Sequence, residues 1–302
     1  MIGAMRTSRA VLVITAALAL VSGVIELPAR SATAATPAIS ATSPCAVART
    51  APRVAHVVWI VLENVGYSAV ASSEAPYLRS LASTCGLATG VRAIAHPSLP
   101  NYIALTTGST QGIVDDGEPS SHPLAATSVF SQLNGDWRSF VESMPRPCDT
   151  VTSGDYAARH NPAVYFTNLR KVCARNDVTM THSLDLRAAF TMIIPNVCHD
   201  MHSCPIALGD AWLSRVVPSI VASAQYQLRS LVLFILFDEN DGDALNHVPV
   251  YVVAPSVRRG ERVTTAWSNY AVLRTTESLL GLAPLGAAKH TTSMARAFHL
   301  GQ

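Results

Sequence analysis

The stretch VAHVVWIVL at residues 54–62 decides the fold, because nearly every side chain in it is apolar and it ends directly before a Glu-Asn pair. A second stretch, LVLFILF at residues 231–237, has the same character and ends directly before an Asp-Glu pair. Short continuous apolar runs of this kind are typical of strands buried on both faces, as in a parallel sheet covered by helices. Both stretches are therefore expected to be central strands of one sheet.

Other segments extend this pattern along the chain. Residues 188–194 and 248–254 are apolar enough to form two more strands. Apolar residues recur at helical spacing in four segments, which are residues 77–83, 99–106, 213–224 and 270–280. Strands that alternate with helices predict an α/β fold, here a doubly wound, mostly parallel sheet with helices on both faces.

The N-terminal segment has the order of a secretory signal. Arg6 and Arg9 precede an apolar run at residues 10–20, and small residues follow at 32–34. This order predicts a signal peptide over residues 1–34. A membrane anchor is the alternative, but the apolar core is shorter than the ~20 residues that a membrane span needs. We expect a secreted protein with no stable membrane insertion after cleavage.

The rest of the chain divides into two parts. Residues 35–53 are rich in Ala, Thr, Ser and Pro and are expected to be a flexible leader. Residues 54–302 are expected to form a single α/β domain. Removal of residues 1–34 takes away three arginines and one glutamate, so the formal charge of +2 falls to zero. A nearly neutral chain lacks the basic surface of a nucleic-acid-binding protein, and we expect no nucleic-acid partner.

All six cysteines follow residue 34, which in an exported chain favours disulfides over a zinc site. Six cysteines allow about fifteen connectivities. The simplest of these is sequential pairing, with bonds Cys45–Cys85, Cys148–Cys173 and Cys198–Cys204.

The strand ends carry candidate metal ligands. Ligands of open α/β sheets bind beyond the carboxyl ends of the strands, where Glu63, Asn64, Asp238 and Glu239 are expected to meet. Asp and Asn are also ordinary residues of turns, which is the alternative explanation for one such pair. Two oxygen-rich pairs at the two most apolar strands favour a site for a divalent cation.

The segment HPSLPNY at residues 96–102 carries the candidate nucleophile, Ser98. Serine with a following proline is common at a helix start, so Ser98 could serve only as a cap. The free N–H groups of a helix start also suit a phosphate group, and a serine hydroxyl becomes a good nucleophile beside a base or a metal ion.

Histidines and acids are also concentrated in the segment PNVCHDMHSC at residues 195–204. Histidines in loops are usually unremarkable, but their position after a strand makes Asp200 and His202 candidates for proton transfer to a leaving group. His160 is a weaker single candidate. Residues 113–128 and 144–185 have little periodicity and are expected to form the walls of a pocket.

These motifs, in this order, resemble a known family. It contains bacterial acid phosphatases and phospholipases C and is a branch of the alkaline-phosphatase-like superfamily, and small secreted actinobacterial acid phosphatases resemble the chain most. The resemblance implies that Glu63, Asn64, Asp238 and Glu239 hold one divalent metal ion, Ca, Mg, Mn or Fe, that also contacts Ser98. It implies a phosphoserine intermediate at Ser98.

The resemblance also implies roles for other side chains. His160 and His202 would flank the phosphoryl group, with Asp200 as a further catalytic residue in a supporting role. Four further residues are expected to bind substrate: His96, Asn101, Asp210 and His199.

Two residues depart from the family pattern. Asn269 stands where relatives carry a histidine, and His199 stands where relatives carry an asparagine. The double exchange suggests the hypothesis that His199 replaces the lost donor.

The chain is expected to be an acid phosphatase that hydrolyses phosphate monoesters. The expected substrate is a small phosphate ester or a phosphoinositide. A phospholipase C-type phosphodiesterase is the alternative enzyme, because the same nucleophile could attack a diester. A catalytically inactive protein that binds phosphorylated ligands is the alternative outside the enzymes.

Overall fold

Strand β1 (His56–Leu62) lies inside the sheet, and six of its seven residues are buried. It pairs in parallel with β5 (Phe190–Ile194) on one side and with β6 (Leu231–Phe237) on the other. Every residue of β5 and β6 is buried. Because side chains on both faces of these strands are covered, their sequences are apolar without alternation, as the two quoted stretches predict.

The computed structural model describes residues 1–3, 38–48, 53–71, 74–242 and 245–301. Within them the sheet has nine strands, and six remain to be defined: β2 (Gly86–Arg92), β3 (Trp137–Val141), β4 (Asp177–Thr179), β7 (His247–Val253), β8 (Arg262–Val263) and β9 (Trp267–Ser268). The strand order is β4-β3-β5-β1-β6-β7-β2-β8, and β9 pairs with β2. Only β7 among these strands runs antiparallel to its neighbours, so the mostly parallel α/β sheet is confirmed.

The described residues form eight α-helices: α1 (Tyr67–Val70), α2 (Pro76–Thr84), α3 (Ser98–Thr107), α4 (Val129–Gln132), α5 (Cys173–Asn176), α6 (Ile206–Val221), α7 (Ala224–Gln227) and α8 (Tyr270–Leu280). Short 3-10 helices lie at Ala158–His160, Pro162–Tyr165, Thr167–Leu169 and Gly286–His290. The bounds of α8 equal the predicted ones. Helix α6 begins seven residues before the predicted start, because its first turns are largely exposed and carry little apolar periodicity.

The leader differs from its prediction. Residues 38–48, expected to be flexible, belong with the domain in one compact unit, Ala38–Gln302. Ile39 and Cys45 are buried, and Cys45 forms a disulfide with Cys85 at the end of α2. The N–H group of Ala46 donates to the carbonyl of Val257 at 2.7 Å. A covalent bond and backbone hydrogen bonds thus hold a segment whose composition alone predicts a flexible leader.

The three disulfides are Cys45–Cys85, Cys148–Cys173 and Cys198–Cys204, as the sequential pairing predicts. The last of them closes the loop that follows β5. Most of the predicted signal peptide, residues 4–34, lies outside the described residues. No helix in the described ranges is both long and apolar enough to cross a membrane.

Candidate active site

Three buried acids meet at the carboxyl edge of the sheet. Glu63 follows β1, and Asp238 and Glu239 follow β6. The register pairs the last residues of β1 and β6, Leu62 and Phe237, so the residues that follow lie side by side. Each of the three acids is at most 3% exposed, and one carboxylate oxygen of each lies within 4.8 Å of the others. We call these three residues the carboxylate cluster.

The carboxylate cluster has unusual electrostatics. Burial raises the pKa of Glu63 to about 7, and burial also raises the pKa values of Asp238 and Glu239. Asp238 Oδ1 accepts the N–H of Glu239 at 2.6 Å, whereas Asp238 Oδ2 has no hydrogen-bond partner among the described residues. Buried carboxylates this close resist joint ionisation unless a cation compensates their charge. An all-oxygen set with an unpaired oxygen fits a divalent cation.

Ser98 is the first residue of α3 and contacts the carboxylate cluster directly. Its Oγ lies 2.7 Å from Glu63 Oε2 and 3.1 Å from Glu239 Oε1, within donating distance of both. His96 Nδ1 contacts the other oxygen of Glu239. The start of α3 therefore brings the predicted nucleophile to the predicted metal ligands.

A cavity of about 630 Å³ opens above these residues. Its lining consists of Asn64, His96, Pro97, His202, Glu239, Asn240, Asp241 and Gly242. His96 and His202 are thus the predicted histidines that face the cavity. The predicted ligand Asn64 lines it beside the carboxylate cluster.

His160 lies behind the carboxylate cluster and not in the cavity. Its Nε2 is 3.3 Å from Glu63 Oε1, and its Nδ1 is 3.1 Å from Asp200 Oδ2. His160 is 1% exposed, and burial lowers its pKa to about 4, whereas burial raises the pKa of Asp200 to about 7. The expectation that His160 flanks the phosphoryl group is therefore corrected: its ring contacts Glu63 from the protein side.

Asp200 supports the loop that carries His202. Its Oδ1 accepts the backbone N–H of His202 at 2.8 Å, and its carbonyl accepts the N–H of Glu63 at 2.9 Å. Asp200 is itself buried. It links the loop after β5 to the end of β1.

Two residues expected to bind substrate have other partners. The carboxamide of Asn101 accepts the N–H groups of Ile94 and Ala95 and donates to the carbonyls of Ala95 and Pro97. All its hydrogen-bonding capacity is used, so it shapes the segment before Ser98 and is not free to bind substrate.

Asp210 accepts the N–H groups of Tyr77 and Leu78 at 2.8 and 2.9 Å. These groups belong to the first turn of α2, where N–H groups lack partners within the helix. Asp210 therefore stabilises the start of α2, which corrects its expected role in substrate binding.

His199 lines a different cavity from the one that His96 and His202 face. Its Nδ1 is 2.9 Å from Glu142 Oε2, and Trp212 Nε1 donates to the other oxygen of Glu142 at 3.2 Å. Asn269 instead lies behind β6 and donates to the carbonyls of Phe237 and Asp238. The Nδ1 atom of His199 thus pairs with Glu142, and the described contacts do not link its ring to Asn269 or to Ser98.

Sequence reasoning missed two charged residues next to the cavity. Asp116 Oδ1 accepts the N–H of Leu99, the residue after Ser98, at 2.9 Å. Arg159 Nε is 3.8 Å from Asp116 Oδ2, and an Arg159 Nη is 3.4 Å from His202 Nε2. Two signals were available: Asp116 lies in the expected pocket wall at residues 113–128, and Arg159 directly precedes His160.

The chain is similar to known phosphatases. The chain is 33% identical over 244 residues to a phosphatidylinositol-3-phosphatase of Mycobacterium tuberculosis, across 78% of this chain and 80% of that protein. It is 26% identical over 251 residues to an acid phosphatase of Aspergillus fumigatus, across 76% of this chain but only 55% of that longer protein. A solved Vibrio parahaemolyticus protein of the alkaline phosphatase superfamily has the same fold, with a TM-score of 0.56 at 12% identity, over 87% of this chain and 76% of that one.

The curated relatives identify the chain as a phosphoric ester hydrolase, and its fold is that of the solved alkaline phosphatase superfamily protein. The chain belongs to the phosphoesterase family, whose model matches residues 63–283.

Proposed function

We propose that the protein is an exported, metal-dependent phosphatase that hydrolyses phosphate monoesters through a phosphoserine at Ser98. One observation carries the proposal: the Ser98 hydroxyl lies between Glu63 and Glu239, in a buried carboxylate cluster that could hold a cation. The capping position of α3 is Pro97, and Ser98 is the first residue inside the helix, where its hydroxyl bonds to Glu63 and Glu239 and does not act as the cap.

The residues present suit one divalent cation. The carboxylate cluster, Asn64 and Ser98 would hold it, and Ca, Mg, Mn and Fe all accept such oxygen ligands. When bound, the cation would stabilise the ionised Ser98 and the negative charge that develops on the phosphoryl oxygens.

The protein residues would carry out two displacements. In the first, Ser98 Oγ bonds to phosphorus while the bond from phosphorus to the leaving alcohol breaks, and His202 donates a proton to the departing oxygen. In the second, water attacks phosphoserine, returns a proton to His202 and releases phosphate and ionised Ser98. His202 lines the cavity and is therefore accessible to a substrate.

The cavity and the relatives support a proposal for the substrate class. The cavity is open and lined by polar groups, which suits a small phosphate ester or a phosphorylated headgroup. The Mycobacterium relative is named for a phosphoinositide substrate, and the fungal relative is named an acid phosphatase. We propose small phosphate monoesters, including phosphoinositides, as substrates.

Export is supported by the N-terminal signal pattern and by three disulfides, which persist in oxidising compartments. Expression of the full chain in an exporting host tests this part. Recovery of the protein outside the cytoplasm with an N-terminus near residue 35 is expected, and retention with an intact N-terminus would contradict it.

Ser98→Ala tests the nucleophile, with Ser80→Ala on the exposed side of α2 as the matched control. Release of p-nitrophenol from its phosphate should fall at least ~1,000-fold in Ser98→Ala and stay unchanged in the control. Acid quenching and mass spectrometry should find one phosphoryl group on the wild-type peptide that contains Ser98. A Ser98→Ala protein that kept most of its activity would refute the proposal.

The metal is tested without turnover. The melting temperature of chelator-treated protein should rise on addition of Mg²⁺, Mn²⁺, Ca²⁺ or Fe²⁺, because a ligand that binds only the folded state stabilises it. Asp238→Asn should abolish this rise. A chelated protein that responds to none of these ions would contradict metal dependence.

A further inference from the structure

The start of α3 is less open to an anion than its position suggests. A helix start usually offers several free N–H groups to a phosphate. Here Pro100 has no N–H group, and the N–H of Leu99 donates to Asp116 Oδ1 at 2.9 Å. A carboxylate of the protein therefore occupies a place at the helix start where a phosphate oxygen would bind.

Arg159 holds that carboxylate from the other side. Its Nε lies 3.8 Å from Asp116 Oδ2, and the Arg159 side chain is 23% exposed. An Nη of Arg159 lies 3.4 Å from Nε2 of His202, which lines the cavity. The guanidinium is permanently charged and has several donors in a fixed plane, so it suits the oxygens of a phosphate group.

The two charges compensate each other in the free protein. Both belong to the electrostatic surroundings of the site: Asp116 acts on Glu239 and on His160, and Arg159 acts on Asp200. An ion pair at 3.8 Å that is partly open to water is weak. Arg159 is therefore not firmly held by Asp116, and its contact with His202 places its guanidinium next to a residue that lines the cavity.

We propose that Arg159 determines specificity for monoesters, by exchanging its pairing with Asp116 for a pairing with the third non-bridging oxygen of the phosphate. A monoester has three such oxygens, and the carboxylate cluster, which would hold the cation, contacts Ser98 and not Arg159 in the described residues. A diester carries a second ester arm in place of one of these oxygens, so it loses the charged contact with Arg159. This inference rests on the proposed function and assigns its substrate preference to one side chain.

Asp116 then has the opposite effect on binding. Its carboxylate competes with the phosphate for Arg159 and for the N–H of Leu99. Asp116→Asn retains an oxygen that can accept from Leu99 but removes the negative charge. This variant should bind phosphate more tightly, whereas loss of Arg159 should weaken binding.

The experiment compares Arg159→Met, Arg159→Lys and Asp116→Asn with the wild type. Arg187→Met is the matched control, because Arg187 pairs with Asp185 before β5, at the opposite edge of the sheet. The substrates are p-nitrophenyl phosphate and bis-p-nitrophenyl phosphate. Calorimetric titration with inorganic phosphate measures binding without turnover, and melting temperatures verify folding.

In Arg159→Met, kcat/KM for the monoester should fall about 10- to 100-fold, and that for the diester less than about 3-fold. The phosphate Kd should rise by a similar factor. Arg159→Lys should restore part of the lost activity and binding, because lysine keeps the positive charge but lacks the planar guanidinium that makes two parallel hydrogen bonds. Asp116→Asn should lower the phosphate Kd several-fold. Arg187→Met should match the wild type.

Equal losses on both substrates, or an unchanged phosphate Kd in a folded Arg159→Met protein, would overturn the inference. A wild-type protein that hydrolyses neither substrate would overturn the proposed function. In that case a higher phosphate Kd in Arg159→Met would still support the role of Arg159.

Discussion

Replacement of Asp177 by asparagine should stabilise the protein at neutral and alkaline pH and leave its stability at pH 4 nearly unchanged. Asp177 begins β4 and is fully buried. Asn161 Nδ2 donates to its Oδ2 at 2.9 Å, and its Oδ1 has no hydrogen-bond partner among the described residues. Asparagine fills the same volume and can accept the same bond without a charge.

The magnitude follows from the pKa. Burial raises the pKa of Asp177 from its usual 3.8 to about 7. Between these values the folded protein keeps a proton that the unfolded chain has lost, so the unfolding free energy falls as pH rises through this window. Each pKa unit corresponds to about 1.4 kcal/mol, which gives a fall of up to about 4 kcal/mol, complete above pH 7. Asp177→Asn removes this fall.

Urea unfolding with intact disulfides and chelator, at pH steps from 4 to 8, measures the difference. Asp185→Asn is the control, because a hydrogen bond from Arg187 lowers the pKa of exposed Asp185 to about 2. The pairing of ionised Asp185 with Arg187 contributes fully to the free energy of unfolding above pH 3.8. This contribution is lost only as pH falls towards 2, outside the range of the experiment. Parallel curves for wild type and Asp177→Asn across pH 4 to 8 would refute the reasoning.

Two further predictions concern the loop that carries Asp200 and His202. A Cβ at Gly209 would lie 2.4 Å from Met201 Cγ and 2.7 Å from the carbonyl oxygen of His199, so Gly209→Ala should displace the loop and lower kcat/KM about 10-fold or more. Wild-type kinetics in a folded Gly209→Ala protein would contradict this. Replacement of the Cys198–Cys204 pair by serines should lower the free energy of unfolding by about 2 kcal/mol and remove most activity. Replacement of the Cys45–Cys85 pair should lower it by about 4 kcal/mol and leave kcat unchanged. Urea unfolding and p-nitrophenyl phosphate kinetics test both, and equal effects of the two pairs on kcat would count against the prediction.

Parts of the fold could not be predicted from local patterns. Strands β2 and β3 were missed because their sequences, GLATGVR and WRSFV, contain glycines or charged residues within the strand. The antiparallel direction of β7 was also not predicted, because a strand's own sequence does not show the direction of its neighbours.

Some residues of the site could be predicted from the sequence and others could not. Glu63, Asp238 and Ser98 could be predicted, since strand ends of an α/β sheet meet at one edge and a helix start follows. Asn101, Asp210 and His199 could not be assigned, because their roles depend on the partners of each polar atom. Asn101 bonds to nearby backbone, whereas Asp210 and His199 bond to residues far away in sequence.

The sequence by itself determined the class of fold, and it predicted sequential disulfide pairing as the simplest connectivity and Ser98 as a neighbour of the strand-end acids. Each of these follows from local order: apolar runs, their terminal residues and the spacing of cysteines. Only the tertiary structure decided that His160 lies behind Glu63 and that Arg159 and Asp116 meet beside the start of α3. Those contacts join segments more than 40 residues apart, and a single sequence contains no signal for which distant charges will be neighbours once the chain has folded.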